Sequence, residues 1–333
     1  MADVLRIATF NLENLDTGPQ AELPVERRLS VLRPQLEALS ADILCLQEVN
    51  AQKTQGQSGR RLEALDRLLE GTAYAGFERA HSTATANGRL SDHHNLVTLS
   101  RWPIRSSRQI RHDYVDPPIY RPATAKPRGK EAETLEWDRP LLLTEIDLPS
   151  GAALHVINLH LRAPLAAPVK GQKHAPDRWK SVGGWAEGFF IASMKRGGQA
   201  LEARLALEEI FDRAPRALIA VLGDFNAEGR ETPLVALKGQ IEENEDPGLA
   251  ARSLVALDEA VPANRRYSVL HGGQEVMLDH LLVSRVLADL ARRVDVDNRD
   301  LRDELADERA ETATAMSHHA PVVAEFDMPG REP

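Results

Sequence analysis

The chain has 333 residues, 42% of them hydrophobic and 27% charged, which is enough apolar material for the core of one large α/β domain. Its formal net charge of −9 argues against a protein covered in positive charge for gripping nucleic acid, although a local basic groove is compatible with it. The single cysteine, Cys45, excludes an intrachain disulfide and a zinc site built on cysteines. No secretory signal and no apolar stretch of membrane-spanning length is visible, so we expect a cytoplasmic protein.

The hydrophobic pattern predicts short apolar strands interrupted by amphipathic helices. Leucines and other apolar residues at spacings of three and four mark the helices, and short apolar runs mark the strands. In chain order we expect a strand over Val4–Phe10, a helix within Pro24–Ser40, a strand over Asp42–Gln47, a helix over Leu62–Leu69, strands over Asn95–Ser100, Leu141–Leu148 and Leu154–His160, a helix over Ala203–Phe211, and strands over Ala217–Leu222, Met277–Val283 and Pro321–Phe326.

The order of these elements predicts a single α/β domain over residues 1–333 with mixed sheets. Leu141–Leu148 and Leu154–His160 are joined across Pro149-Ser150-Gly151, which is typical of an antiparallel hairpin. No linker divides the chain. Two long loops are predicted near residues 108–139 and 162–195, and loops of this length in a compact domain are usually functional or disordered.

Acids, amides and imidazoles recur where the apolar runs end or begin. One such residue is usually a turn-former or a cap, but six runs of this kind favour a shared site at one edge of the sheets. A cluster with oxygen ligands and imidazoles but no thiolate suits a hard cation such as Mg²⁺. The residues concerned are Asn11, Glu48, Asn158, His160, Asp224, Asn226, Asp279, His318 and His319.

The motifs around these residues resemble those of the endonuclease/exonuclease/phosphatase superfamily, which includes deoxyribonuclease I and bacterial sphingomyelinases. They are, in order, TFNLEN, LQEV, LSRWPI, NLHLR, GDFNAEG, LDHLLVS and SHHAPVV, and they extend from Thr9 to Val323. Each motif alone is weak, whereas the ordered set is specific. The resemblance implies two mixed β-sheets packed as a sandwich, with helices on both outer faces.

The resemblance also implies roles for individual residues. Asn11 and Glu48 match the metal ligands, and the metal is expected to be Mg²⁺, for which Mn²⁺ can substitute. The residues that match catalytic positions are His160, which contacts the phosphate; Asp224 and Asn226, which orient the attacking water and the scissile phosphate; and His319 with its supporting carboxylate Asp279.

Several positions are open at the level of sequence. His318 stands where the superfamily usually has an aspartate, which puts a second metal position in question. Arg162 and Asn158 are predicted to bind substrate, although Arg162 could equally be a solvated loop residue. Glu13 and the Asp92–Asn95 turn are candidates for the site or for ordinary turns.

The predicted activity is divalent-metal-dependent hydrolysis of phosphate esters, with a nucleic-acid phosphodiester favoured as substrate. The segment Arg162–Arg196 contains seven Lys or Arg residues against two acids, as well as four large aromatic residues. Its lysines could follow a polyanion and its aromatic rings could stack on bases, anchor the segment or meet lipid. The alternatives are a phosphomonoesterase, a sphingomyelinase-like or inositol-phosphate phosphatase, and a non-catalytic binding protein. No protein partner is evident.

Overall fold

Two six-stranded sheets lie face to face in the computed structural model, which describes residues 3–17, 23–53, 56, 59–84, 88–239, 247–309 and 314–329. The strands of these residues are, in chain order, β1 (Asp3–Leu15), β2 (Ile43–Val49), β3 (Gln52–Lys53), β4 (Arg60–Arg61), β5 (Glu78–His81), β6 (Asn95–Ser100), β7 (Ile104–Ile110), β8 (Ile119–Tyr120), β9 (Glu133–Thr134), β10 (Leu141–Asp147), β11 (Ala153–His160), β12 (Lys173–Ala175), β13 (Arg178–Trp179), β14 (Leu218–Asp224), β15 (Leu254–Ala256), β16 (Val269–His271), β17 (Gln274–Val276), β18 (Asp279–Ser284), β19 (Ala291–Val296) and β20 (Val322–Met328).

The α-helices of the described residues lie outside the sheets or in the connections. They are α1 (Val25–Leu39), α2 (Glu63–Leu69), α3 (Val182–Arg213), α4 (Thr232–Lys238), α5 (Pro247–Ala250), α6 (Arg285–Ala288) and α7 (Glu304–Arg309). None of them is both long and apolar enough to cross a membrane.

Both sheets mix parallel and antiparallel neighbours, as the sequence predicted. The strand order is β19-β20-β1-β2-β6-β5 in one sheet and β15-β18-β14-β11-β10-β7 in the other. The pairs β1–β2 and β11–β14 are parallel, and the remaining pairs of the two sheets are antiparallel. The predicted hairpin is the β10–β11 pair.

Alternation along the strands builds three hydrophobic layers. On β1, Ile7 points into the core between the sheets, whereas Ala8 and Phe10 pack on the opposite face under α1 and α2. On the second sheet, Val156 faces the same central core and Ile157 packs under α3. The result is the predicted sandwich with helices on both outer faces.

The prediction of a long loop over residues 162–195 was wrong for its second half, because α3 begins at Val182 and is 32 residues long. Glycines obscured this helix, since glycine lowers helix propensity by about 1 kcal/mol relative to alanine. One of them has a packing reason. A Cβ on Gly198 would lie 2.2 Å from the Trp137 ring, so only glycine lets the two approach.

The N-terminal part of α3 belongs to a side lobe, defined here as residues 117–135 and 163–190. It contains the small pairs β8–β9 and β12–β13 and a small apolar core of its own, which includes Ala125, Leu135, Ala167 and Val169. The C-terminal half of α3 packs on the second sheet instead. The helix therefore connects the side lobe to the body of the protein.

Candidate active site

The predicted site residues meet at one edge of the sandwich. β11 and β14 run parallel and end there with His160 and Asp224, which are direct neighbours in the sheet. β18 is antiparallel to β14 and begins at the same edge, which places Asp279 directly opposite Asp224. In the facing sheet, Asn11 lies near the end of the regular β1–β2 pairing. Strand register therefore brings His160, Asp224 and Asp279 together, and the packing of the two sheets adds Asn11.

A histidine–carboxylate pair faces Asp224 across this edge. The Nδ1 atom of His319 lies 2.8 Å from Oδ2 of Asp279, and its Nε2 atom lies 4.0 Å from Oδ2 of Asp224. Burial lowers the pKa of His319, but the charges of Asp279 and Asp224 outweigh it, so that this pKa stands well above its ordinary value. The imidazole is thus held as a cation between two carboxylates.

The Asp224 carboxylate is buried and held from two sides. The Asn11 side-chain amide donates to its Oδ2 atom at 3.0 Å, and the backbone N–H of Asn226 donates to its Oδ1 atom at 2.8 Å. Burial, reinforced by the charge of nearby Asp279, raises the pKa of Asp224 to about 7. A fixed carboxylate with this pKa can exchange a proton with water near neutral pH.

His160 lies between two carboxylates of the site. Its Nε2 atom is 3.3 Å from Oδ2 of Asp224 and 3.8 Å from Oε1 of Glu48. The ring is 2% exposed, and burial, together with the charge of Arg139, holds the pKa of His160 well below its ordinary value. It is therefore a neutral imidazole, in contrast to His319.

Glu48 is held by a hydrogen-bonded network that includes Asn14, His94 and Arg139. The backbone N–H of Asn14 donates to Oε2 of Glu48 at 3.1 Å, and Nε2 of His94 lies 2.8 Å from the side-chain oxygen of Asn14. Arg139 donates to Nδ1 of His94 at 2.7 Å. Because a guanidinium can only donate, Nδ1 must accept, and the hydrogen of the neutral ring sits on Nε2 and points to Asn14. This network thus fixes the tautomer of His94.

His318 is enclosed by acids rather than open to the site. Its Nδ1 atom lies 2.8 Å from Oε1 of Glu13, and its Nε2 atom lies 3.2 Å from Oδ2 of Asp307 on α7. The hydrogen bond that the His318 ring donates to Glu13 raises the pKa of His318. Both ring nitrogens are occupied, so this imidazole supports the adjacent His319 loop and leaves no free nitrogen for a metal.

The GDFN turn depends on a glycine whose backbone no other residue could adopt without strain. Gly223 has φ of +144°, and a Cβ at this position would lie 1.9 Å from the carbonyl oxygen of Leu159 on the neighbouring strand. Three residues later, the Asn226 side chain donates to the Leu161 carbonyl at 3.1 Å. Arg196 of α3 donates to the backbone carbonyl of Asn226. Asn226 thus joins the turn to β11 and α3.

The two residues predicted to bind substrate lie in different surroundings. Asn158 is 0% exposed and joins the sheets: it accepts from Gln47 at 2.8 Å and donates to the Val97 carbonyl at 3.0 Å. This burial argues against the predicted substrate contact. Arg162 lies at the rim of the site, with its Nε atom 3.2 Å from Oδ2 of Asp138.

Backbone strain is concentrated at this edge. Among the described residues other than glycine, seven have positive φ, and five of these belong to the network above: Glu13, Asn14, Glu48, His94 and Asn226. Such conformations cost about 1–3 kcal/mol each and persist where the surrounding contacts enforce them. Their concentration here favours a functional site over a chance cluster of polar residues.

The donor set fits a hard divalent cation. The side chains of Asp224, Asp279 and His319 bring ligand atoms within 4.8 Å of one another, and the buried Oδ1 atom of Asp279 has no hydrogen-bond partner in the described part of the chain. This cluster differs from the predicted ligands Asn11 and Glu48. We favour Glu48 as the metal ligand, because Asp279 already bonds to His319. The crowded carboxylates repel one another, and this repulsion favours a cation nearby.

Comparison with known proteins identifies the family of the chain. Residues 8–301 match the Endonuclease/Exonuclease/phosphatase family. The chain belongs to this family. Its members hydrolyse phosphate esters and generally use a divalent metal. A search of the curated proteins found no match.

Solved structures of the family share this fold at low sequence identity. Truncated TDP2 from Caenorhabditis elegans has a TM-score of 0.57 and 16% identity, with 97% of each chain covered. The 3′ phosphatase NExo from Neisseria, solved with a product DNA hairpin, has a TM-score of 0.51 and 17% identity, with 97% of this chain and 99% of that chain covered. A family protein from Leptotrichia buccalis has a TM-score of 0.54 and 13% identity.

The sequence analysis missed Arg139 and Asn14 and left Glu13 and His94 undecided. Arg139 stands just before β10, and His94 just before β6. Both strands are antiparallel to a strand that ends at the site, so their beginnings lie at the same edge. A search of strand beginnings as well as strand ends would have found them.

Proposed function

We propose that this protein is a Mg²⁺-dependent phosphodiesterase that cleaves nucleic acid. One observation carries the proposal: a cationic His319 held by Asp279 faces a buried Asp224, with Glu48 on the far side of His160. Phosphate-ester hydrolysis requires a positioned water, neutralised charge on the phosphate oxygens and a stabilised leaving oxygen. These side chains can supply each of them around one space.

The roles of the residues follow from their charge and hydrogen bonds. Glu48 and Asn11 would hold the cation, which when bound neutralises charge on the phosphate. Asp224 orients the attacking water and accepts its proton, because it is fixed and has a pKa near neutrality. His319 stabilises the charge that develops on the phosphate, since Asp279 keeps it protonated. His160, as a neutral ring, donates to a phosphate oxygen.

Asp279→Asn should lower the turnover rate roughly tenfold to a hundredfold, because an orienting partner of a catalytic imidazole is lost. The pKa of His319 should fall, since the carboxylate that raises it is gone. The limb of the pH–rate profile that belongs to this histidine should then move to lower pH. A profile that matches wild type in both limbs would show that Asp279 does not support His319. His319→Ala, which lacks the imidazole, is the control.

The side lobe favours a polymeric substrate. Arg196 and Gln199 of α3 contact residues at the ends of β14 and β11, namely Asn226 and Arg162. The preceding segment of the helix, Val182–Lys195, is about 20 Å long at 1.5 Å per residue. Its N-terminal end therefore lies well beyond the residues that Arg196 and Gln199 contact. A substrate that reaches from the site to this end of α3 must be larger than a single phosphate ester.

The side lobe carries the positive charge that a nucleic acid requires. The side lobe has eight Lys or Arg residues against four acids, in a chain whose net charge is −9. Seven of the eight are exposed: Arg121, Lys126, Arg128, Lys130, Lys170, Arg178 and Lys180. Phosphate contacts of this kind give affinity without sequence preference and weaken as the salt concentration rises.

Reversing charge at Lys170 and Lys180 tests the substrate. The double change to glutamate should raise the KM for DNA or RNA by roughly threefold to tenfold and leave a small chromogenic diester unaffected. Lys173 is left unchanged because its ammonium lies 4.8 Å from the centre of the Trp179 ring. The matched control reverses Arg213 and Arg216, which are exposed at the opposite end of α3. Equal KM values in the two double variants, or cleavage of only sphingomyelin or inositol phosphates, would contradict a nucleic-acid substrate.

A further inference from the structure

Exposed apolar side chains are concentrated on the side lobe. Ten large apolar residues are exposed among the described residues, and six of them belong to this lobe: Ile119, Leu165, Val182, Trp185, Phe189 and Phe190. Soluble proteins rarely leave such patches uncovered unless something binds there. The small core of the lobe does not need these side chains, because it is built from other residues.

The aromatic rings of the lobe fall into two groups. Trp179 packs inside the lobe beneath Lys173 and next to Gly188, so it anchors the β12–β13 hairpin. Trp185, by contrast, is 47% exposed and stacks on Phe189, with ring centres 5.6 Å apart and planes 21° apart. Phe190 is 50% exposed and touches Tyr120 edge-on. The sequence had left anchoring, base stacking and lipid contact as alternatives, and Trp179 is the ring that the structure shows as an anchor.

The charge around these rings selects an anionic occupant. The one acid of the lobe that lies on α3, Glu187, accepts hydrogen bonds from the backbone of Ala123 and Thr124 and from the Tyr120 hydroxyl. Its charge is therefore taken up inside the lobe. Lys180, Lys170 and Arg178 are exposed in the same lobe.

We propose that the side lobe binds an unpaired stretch of the nucleic-acid substrate, with bases stacked on Trp185 and Phe190 and phosphates on the surrounding lysines and arginines. The proposal rests on the function proposed above and names the form of the substrate. A duplex keeps its base faces in its own stack, so only unpaired bases can use exposed rings. An anionic bilayer fits less well, because the rest of this acidic protein would be repelled by an extended anionic surface.

The position of the rings sets the part of the strand that they contact. Trp185 lies eleven residues before Arg196, or about 16 Å along the helix from the residue that touches the site. An unpaired strand that followed α3 from the site would cover this distance in roughly three to five nucleotides. Base contacts should therefore matter at that separation and not next to the cleaved bond.

The test measures binding of a fluorescent oligothymidine of about twelve nucleotides to the full chain in chelator, by anisotropy. Trp185→Ala and Phe190→Ala should each raise the dissociation constant by about fivefold to a hundredfold, as expected for one lost base stack. Trp185→Phe should retain most of the affinity, and Trp185→Leu should not. Leu201→Ala, an exposed apolar position of α3 outside the lobe, is the matched control. A strand of the same length without bases should abolish the difference between wild type and Trp185→Ala.

Each alternative gives a different result. Wild-type affinity in Trp185→Ala, undiminished binding of the strand without bases, or duplex binding as tight as single-strand binding would overturn the proposal. So would retention of full affinity in Trp185→Leu with binding to phosphatidylglycerol vesicles, which would indicate a lipid surface. Hydrolysis of bis(p-nitrophenyl) phosphate with Mg²⁺ is read separately in every variant. If wild type lacks it, the proposed activity fails, whereas the binding result still decides the role of the lobe.

Discussion

Asp224→Asn should lower the turnover number by about a hundredfold or more while the protein stays folded. The carboxylate is the group placed to orient water and accept its proton, and losing a preorganised polar contact to the transition state costs about 3–4 kcal/mol. The amide would keep the size of the side chain and its bond from the Asn226 N–H. Single-turnover hydrolysis of a labelled oligonucleotide at saturating Mg²⁺ measures the effect on chemistry rather than on binding.

Two further variants, one outside the site and one inside it, are compared with Asp224→Asn. Asp300→Asn, which makes the same change at an exposed position outside the site, should behave as wild type. His319→Ala should lose a comparable factor, and the double variant should lose little more, because residues that act on one transition state are not additive. Turnover near wild type in folded Asp224→Asn would remove this residue from the mechanism.

Asp258→Ala should destabilise the protein by about 3–5 kcal/mol, because it leaves a buried histidine without its partner. Nδ1 of His280 lies 2.9 Å from Oδ2 of Asp258, and each residue is 2% exposed. The other ring nitrogen of His280 lies 2.9 Å from the carbonyl oxygen of Ala227, just after the GDFN turn. The pair thus joins β18 to the turn that carries Asp224.

The dependence of this effect on pH follows from the direction of the two shifts. Burial lowers the pKa of His280, but the charge of Asp258 outweighs burial, and the pKa is raised. The contribution of His280 to the stability of the fold is therefore complete below about pH 6.5 and is lost as the pH rises through the raised pKa. The pKa of Asp258 is lowered by His280 despite burial, so its contribution is complete above about pH 3.9 and is lost on further acidification.

Urea unfolding of wild type and Asp258→Ala at several pH values checks this account. The difference in unfolding free energy should be largest between about pH 4 and 6.5 and should shrink in alkaline solution. Asp258→Ala combined with His280→Leu should recover part of the loss, since an apolar side chain tolerates this burial. A difference that grows with pH would contradict the assignment of a charged pair.

The sequence predicted the strands that carry the site because each is a short apolar run ending or starting at a polar residue. The Asp224 strand and the Asp279 strand were both found in this way, and antiparallel pairing then places the two carboxylates opposite each other. α3 was recognised only over its final turns. Its glycines serve contacts with distant residues such as Trp137, and no local pattern reveals such contacts.

The support of the site was less predictable than its reactive groups. Glu13 and His318 form a pair although 305 positions separate them, and Arg139 reaches His94 across 45 positions. Such pairs depend on tertiary structure, because neither residue has a distinctive neighbourhood in the sequence. Asn158 illustrates the opposite error: it shares its strand with His160, yet its side chain points between the sheets, where it is 0% exposed.

In the proposed function, this edge of the sandwich hydrolyses phosphodiesters with a divalent cation held at Glu48. The most direct measurement is hydrolysis of a single-stranded oligonucleotide by metal-stripped protein as Mg²⁺ or Mn²⁺ is added back, in wild type and in Glu48→Gln. We predict no turnover in excess chelator, recovery with Mg²⁺ or Mn²⁺ in preference to Ca²⁺ or Zn²⁺, and a higher Mg²⁺ requirement in Glu48→Gln. Full turnover in chelator after verified metal removal, or an unchanged Mg²⁺ requirement in Glu48→Gln, would contradict it.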